Sequence, residues 1–497
     1  MNLIDLSAIF VVLIIGYTIV LFSSAAKKSP LVESYLFSGN SLRLATSSSV
    51  GAIFSISISF TALLSGGYMY GWQIIFSFWI GIGLAVLFLR RLSRSKAYSK
   101  SYAAIQESGA GVSFLSYLSR KNGMNGNVAP YIFLIFLYSC LLAMELAVAR
   151  STIGYLSEID GFNLMLIVVL LAAVTYSYIY IGGYRAVLYT DHFQLMVIAV
   201  FIGLCLHSIL VESKVDVWLL NPFASKLAWA SALDVCLLHI SVVFGTFSFL
   251  IASVDQWNRT FGTLETDDAL SSIYWSSATL IIFAPIPVLI GAHAYHMYGA
   301  EEYMRGISNN ASLILLKGFL QSSPLSTRFV FLMSLTCVIL TTIDTYIITL
   351  GQLYYELTVR FRARSHKLYI AELLFKWREL RLVVLIITLG SIIISYNVSN
   401  EMVYFFGVAT LAGFSFVVPH VVKLVADDYN MPAAKLPLSI SMIIALVMWP
   451  VVSWLISEWF GSIGDRLYLL SISALISIAI ANIEYIYKFI KGRRVQI

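Results

Sequence analysis

The stretch Gly51-Ala52-Ile53-Phe54-Ser55-Ile56-Ser57-Ile58-Ser59-Phe60-Thr61, followed by Ser65-Gly66-Gly67, lies in an apolar segment long enough to cross a bilayer, yet it carries hydroxyls and glycines throughout. A helix made of such residues is easily interrupted, because Gly is a poor helix former and Ser side chains compete for backbone groups. Five apolar segments later the chain again places polar and small residues midway, at Asp234, His239, Ser241 and Gly245-Thr246. Two interrupted spans five apart predict a five-plus-five inverted repeat, in which broken helices at matching positions expose backbone groups near the midplane. For either span alone, close helix packing through small residues explains the pattern equally well.

Composition sets the frame for that reading. The chain has 497 residues, 59% hydrophobic and only 12% charged, with a mean hydropathy of +0.85. This is far more apolar than a soluble globular protein. Segments of about 20 apolar residues, the length that spans a bilayer as a helix, recur at 3–25, 45–68, 72–90, 128–149, 163–181, 188–211, 232–253, 272–297, 326–354, 381–398, 402–423, 437–458 and 466–489. The expectation is an all-α polytopic membrane protein with thirteen transmembrane helices. The repeats would occupy 45–211 and 232–423, with peripheral helices at 1–25 and 437–489, and the whole of 1–497 forms one transmembrane domain.

Positive charge orients these spans. With an outside N-terminus, the inward loops collect Lys27, Lys28, Arg43, the run Arg90 to Lys121, Arg185, Arg259, the run Arg360 to Arg381, Lys423, Lys435 and Lys488 to Arg494. These are 25 of the 32 Lys and Arg, and a miscounted span would have scrambled the asymmetry. The net charge of +6 therefore belongs to cytoplasmic loops on a plasma (inner) membrane protein, and no basic groove points to nucleic acid. Met1 to Leu6 lacks a basic n-region and contains Asp5, so the first span is expected to be retained. Cys140, Cys205, Cys236 and Cys337 stand singly inside spans, without the spacing of a disulfide framework or metal site. No nucleotide loop or catalytic constellation is present, which argues against an enzyme and against a cofactor.

The ninth span carries the densest polar cluster, Val338-Ile339-Leu340-Thr341-Thr342-Ile343-Asp344-Thr345. Residues three and four apart are neighbours on a helix, so Thr341 lies beside Asp344 and Thr345. An ionisable group in a span marks a functional site by default, and this oxygen-rich face suits a cation. The alternative is hydroxyls bonded back to carbonyls four residues earlier.

Between the fifth and sixth spans the chain reads Gly182-Gly183-Tyr184-Arg185-Ala186-Val187-Leu188-Tyr189-Thr190-Asp191-His192-Phe193-Gln194. This resembles the Gly-Gly-x-x-Ala-Val-x-x-Thr-Asp-x-x-Gln segment of the sodium:solute symporter family. Glu33-Ser34-Tyr35-Leu36-Phe37-Ser38-Gly39-Asn40-Ser41-Leu42, Gly67-Tyr68-Met69-Tyr70-Gly71-Trp72, Thr341-Thr342-Ile343-Asp344-Thr345 and Asp255-Gln256-Trp257-Asn258-Arg259 are similar to further family segments, over about residues 1–430. The resemblance implies the leucine-transporter fold in helices two to eleven and sodium-driven uptake of a small solute. It implies a sodium site of the backbone carbonyls of Ala52, Ser55 and Val338 with the hydroxyls of Thr341 and Thr342. A second cation, bound in some members, would fall to Asp191, Asp344 and Thr345 with Thr341. Asp191 also admits a plainer reading, as a charge capping the sixth helix at the cytoplasmic boundary.

The cargo is less legible. Family sugar carriers place Gln and Glu where this chain has Ser59 and Phe78, which disfavours a hexose. Ser59 itself, Gln73, His239, Ser241, Tyr274 and Ser415 are the polar candidates for contact with a small polar solute. No partner beyond solute, sodium and lipid is implied. A proton-coupled carrier on the same fold, favoured by Asp344 and Asp191, and a transporter-like membrane sensor module are the competing expectations.

Overall fold

The computed structural model describes residues 3–24, 42–53, 62–94, 129–157, 161–212, 232–260, 266–298, 324–362 and 371–397, with seven single positions between 451 and 487. Span eleven and most of spans twelve and thirteen, with Ser55, Ser59 and Ser415, fall outside the described residues. The described residues form helices and no strand. In chain order these are α1 (Leu3–Ser24), α2 (Leu42–Ile53), α3 (Ala62–Tyr70), α4 (Ile74–Ser93), α5 (Ala129–Ser157) and α6 (Gly161–Glu212). There follow α7 (Ala232–Ala252), α8 (Val254–Thr260), α9 (Thr266–Phe283), α10 (Pro285–Tyr298), α11 (Leu325–Arg362) and α12 (Ala371–Asn397).

Five helical stretches among the described residues are long and apolar enough to cross a membrane, with α11 the most completely enclosed by protein. From Phe331 to Leu353 every residue except Met333 is buried. A helix apolar on all sides but for a polar cluster is a helix packed on all sides. It sits against α5, α6, α1 and α12, so its hydroxyls and carboxyl face protein rather than lipid.

Breaks in the helices have identifiable causes. Within α6 the chain kinks at Gly183, with φ 61° and ψ −150°, a conformation essentially reserved for glycine. This joins the fifth and sixth spans at the Gly-Gly motif. The eighth span, one apolar segment in the sequence, is two helices, α9 and α10, meeting at Ala284 before Pro285. Proline has no N–H to continue the ladder and its ring excludes the preceding turn. The seventh span is not broken at Gly245-Thr246: α7 runs through them to Ala252, and the interruption falls at Ser253, before the short α8. A single glycine in a helix costs only about 1 kcal/mol, too little to stop it.

Glycines set the closest helix contacts. A Cβ on Gly67 would lie 2.0 Å from the Val288 carbonyl oxygen, and one on Gly291 would lie 2.0 Å from that of Leu64. Hence α3 and α10 touch backbone to backbone, the mode of approach that small residues allow in membranes. Gly81 brings α4 against α7, where an added Cβ would meet Thr246 Cβ and the Val243 oxygen at 2.7 Å. In the same layer α2 packs on α9 and on α6.

Candidate functional site

Thr341, Thr342, Asp344 and Thr345 are fully buried on α11. Thr341 faces Asp191, eight residues beyond the Gly183 kink on α6 and itself 0% exposed. It is therefore enclosed by protein rather than exposed on a loop. Its Oδ1 accepts from Thr341 Oγ1 at 2.5 Å. Its Oδ2 accepts from Ser48 Oγ on α2 at 2.5 Å and from Arg259 Nη1 on α8 at 2.6 Å. The other terminal nitrogen of Arg259, Nη2, donates to Thr345 Oγ1, which in turn donates to the Thr341 carbonyl at 2.7 Å. Four elements thus meet at one carboxylate.

Arg259 was counted above among the inward-loop charges; the structure instead buries it to 1% exposure. The ion pair explains why: an arginine leaves water when its fork finds oxygens that replace hydration. Its neighbours on α8 are tied down as well. Asp255 accepts from Tyr138 at 2.8 Å and Ser253 at 2.5 Å. Gln256 Nε2 donates to the Ser49 carbonyl at 2.9 Å, and Asn258 Nδ2 to Gln352 Oε1 at 2.8 Å.

Asp344 stands apart from the pair. Its Oδ2 accepts from Tyr178 OH at 2.6 Å and, longer, from Thr190 Oγ1 at 3.4 Å. Thr190 Oγ1 also faces the Ala186 and Val187 carbonyls at 2.9 and 3.0 Å, and one hydroxyl hydrogen cannot serve all three. Asp344 Oδ1 has no hydrogen-bond partner among the described residues. Two buried carboxyls and one guanidinium therefore share this region.

Of the expected sodium ligands, Thr342 Oγ1 donates to the Val338 carbonyl at 3.0 Å, and Thr341 Oγ1 donates to Asp191. A hydroxyl has one hydrogen and two lone pairs, so both threonines keep lone pairs for a further donor or cation. Ala52 lies in the last turn of α2, and α2 packs on α11. Of the expected second-cation residues, Asp191 and Thr345 converge on Arg259, while Asp344 points to Tyr178.

The candidate substrate residues divide. His239 Nδ1 on α7 lies 2.5 Å from Ser77 Oγ on α4, and Ser241 and Gln73 are buried on the same two elements or at their start. Ile74, Ile75 and Val288 form a small apolar cluster beside them with Leu63, Trp72, Val242 and Leu289. Tyr274 is 41% exposed on α9 and is not brought into this group. Sequence reading missed Ser48, Ser77, Tyr178 and Thr190. Ser48 had a signal in the hydroxyl run Thr46 to Ser49, whereas Tyr178 looked like one of several span aromatics.

No family model matches the chain, and no curated protein matches it. Solved structures do. The chain is similar to a Na+-coupled sialic acid symporter, described in a substrate-bound outward-open state that reveals a novel Na+ site, with a TM-score of 0.71 at 15% identity over 97% of both chains. It is also similar to Mhp1, a nucleobase-cation-symport-1 family transporter in a closed conformation with bromovinylhydantoin bound, with a TM-score of 0.56 at 12% identity over 93% of this chain and 95% of that one. MhsT in complex with L-phenylalanine matches with a TM-score of 0.55 at 12% identity over 90% and 98%. The chain accordingly has the leucine-transporter fold of secondary transporters and is an integral membrane protein.

Proposed function

We propose that this protein is a secondary active symporter that couples inward sodium movement to uptake of a small polar solute by alternating access. One observation carries the reading: a full-length likeness to a Na+-coupled symporter coincides with a buried hydroxyl cluster on the ninth span, packed on the second. The sodium site would consist of the Ala52, Ser55 and Val338 carbonyls with Thr341 and Thr342. Both hydroxyls direct their hydrogens elsewhere, to Asp191 and Val338, which leaves lone pairs to act as neutral ligands. Neutral ligands suit a cation that must bind and also leave.

The helix pairing supports a repeat of spans two to six by spans seven to eleven. The second span lies along the eighth (α2 on α9, α3 on α10), and the third along the seventh (α4 on α7). A shift of five exchanges these two pairs. A solute held near Ser77, His239, Ser241 and Gln73 would sit between them, with Ser59, Tyr274 and Ser415 as further contacts to be tested. One sodium ion falling through about 100 mV and a tenfold gradient supplies about 3.7 kcal/mol, enough for roughly a 500-fold solute gradient.

The test begins with a thermal-shift screen of purified protein against small solutes with and without sodium, since a ligand stabilises the state it binds. Hits are then assayed for uptake into proteoliposomes under an imposed sodium gradient. Uptake that collapses when choline replaces sodium is the expected result; equal uptake in sodium-free buffer refutes the coupling.

A further inference from the structure

We infer that Arg259 is a tethered cation standing among the oxygens of Asp191, Thr341, Thr345 and Ser48, so that this chain binds no sodium ion there. The inference rests on the cation-coupled reading only for its relevance to transport; the geometry stands on its own residues.

The oxygens around Asp191 are those a monovalent cation would choose. A carboxylate, three hydroxyls and full burial meet on α2, α6 and α11. Three donors already converge on the carboxylate, and the positive charge among them is the arginine's. Arg259 Nη1 and Ser48 donate to Asp191 Oδ2, Thr341 donates to Oδ1, and Nη2 donates to one lone pair of Thr345 Oγ1. A guanidinium does not deprotonate in a protein, so its charge is permanent. It is also held by its own backbone in α8, whose neighbouring side chains bond α2, α5 and α11. A sodium ion from solution would compete against a cation whose effective concentration is set by a short covalent tether. It would also have to lie beside that positive charge.

The consequence concerns stoichiometry. The arginine supplies, without gradient energy, the charge compensation that a bound ion would otherwise provide at this carboxylate. It links α8 to the sixth and ninth spans whether or not ions are bound. Removing it should expose the site to the solution cation.

Equilibrium binding of 22Na+ to the purified full-length chain decides the point. The wild type is expected to bind no more than one sodium ion, R259Q about one more, and the D191N/R259Q double variant to return to the wild-type number. In an otherwise wild-type chain, Thr345→Ala should change sodium affinity by less than about twofold, because that hydroxyl serves the arginine. Two ions on the wild type, no gain in a monodisperse R259Q, or a tenfold weakening by Thr345→Ala would each overturn the inference. Should R259Q fail to fold, the wild-type count and Thr345→Ala still decide. Zero ions on the wild type with the R259Q increment intact would instead refute sodium coupling at the first site and leave this inference standing.

Discussion

Asp191 and Asp344 share one buried region but have unlike surroundings, and they should respond to mutation in opposite directions. Asp191 accepts from three donors, two of them hydroxyls and one a guanidinium. Replacing Thr341 by Ala removes the hydroxyl that donates to Oδ1 and should lower stability by about 1–3 kcal/mol, the cost of a buried acceptor left without its partner. Thr341→Ser should recover most of it. The thermal midpoint of purified protein measures both, and half-maximal sodium activation of uptake should rise in Thr341→Ala and in Thr342→Ala. Asp344, by contrast, has a buried Oδ1 without a partner and no cation bonded to it among the described residues. Asp344→Asn removes the cost of ionising a carboxyl in this enclosed place while keeping an acceptor for Tyr178, so its thermal midpoint should equal or exceed that of the wild type. A marked fall would mean that Asp344 is paired with a cation in solution.

Single glycines decide how whole elements meet. Gly183 allows the fifth and sixth spans to turn with ψ −150° at positive φ, and Gly183→Ala should cost roughly 1–3 kcal/mol of backbone strain wherever the kink persists. The contact of α3 with α10 is stricter, since an added methyl would lie 2.0 Å from a carbonyl oxygen from either side. Gly67→Ala and Gly291→Ala should each force the two helices apart and lower the thermal midpoint. Overpacking of this kind typically costs about 1–3 kcal/mol. Gly245→Ala is the control: no atom lies within 4 Å of its added Cβ, and it replaces a poor helix former, so stability should hold or improve. A loss at Gly245 equal to that at Gly67 would contradict this account of the packing.

At the scale of the whole molecule, Arg259 changes how the charge distribution is read. As an inward-loop charge it supported an outside N-terminus; as a buried partner of Asp191 it carries no weight in the positive-inside comparison. The other inward charges still dominate, with the runs Arg90 to Lys121 and Arg360 to Arg381 foremost. A fluorescent protein fused after Ile497 should therefore remain resistant to a membrane-impermeant quencher in intact cells and become sensitive after lysis. Quenching in intact cells would reverse the orientation.

The sequence by itself determined a membrane protein made of helices, and it singled out the ninth-span cluster. Apolar length and a polar cluster within it are local properties that any side chain displays wherever the chain goes. The Gly-Gly motif likewise marked the junction of the fifth and sixth spans, where the structure places the kink at Gly183 in a backbone that glycine accepts. Tertiary structure alone decided which side chain faces Asp191. Arg259 lies 68 residues away in sequence, in a segment whose charge composition looks like a loop, and nothing local distinguishes a hydrated guanidinium from one enclosed between helices. Tertiary structure also moved the break of the seventh span from Gly245 to Ser253 and divided the eighth at Pro285. A helix ends where packing and partners make another path lower in free energy, and a weak propensity such as that of one glycine does not fix the place.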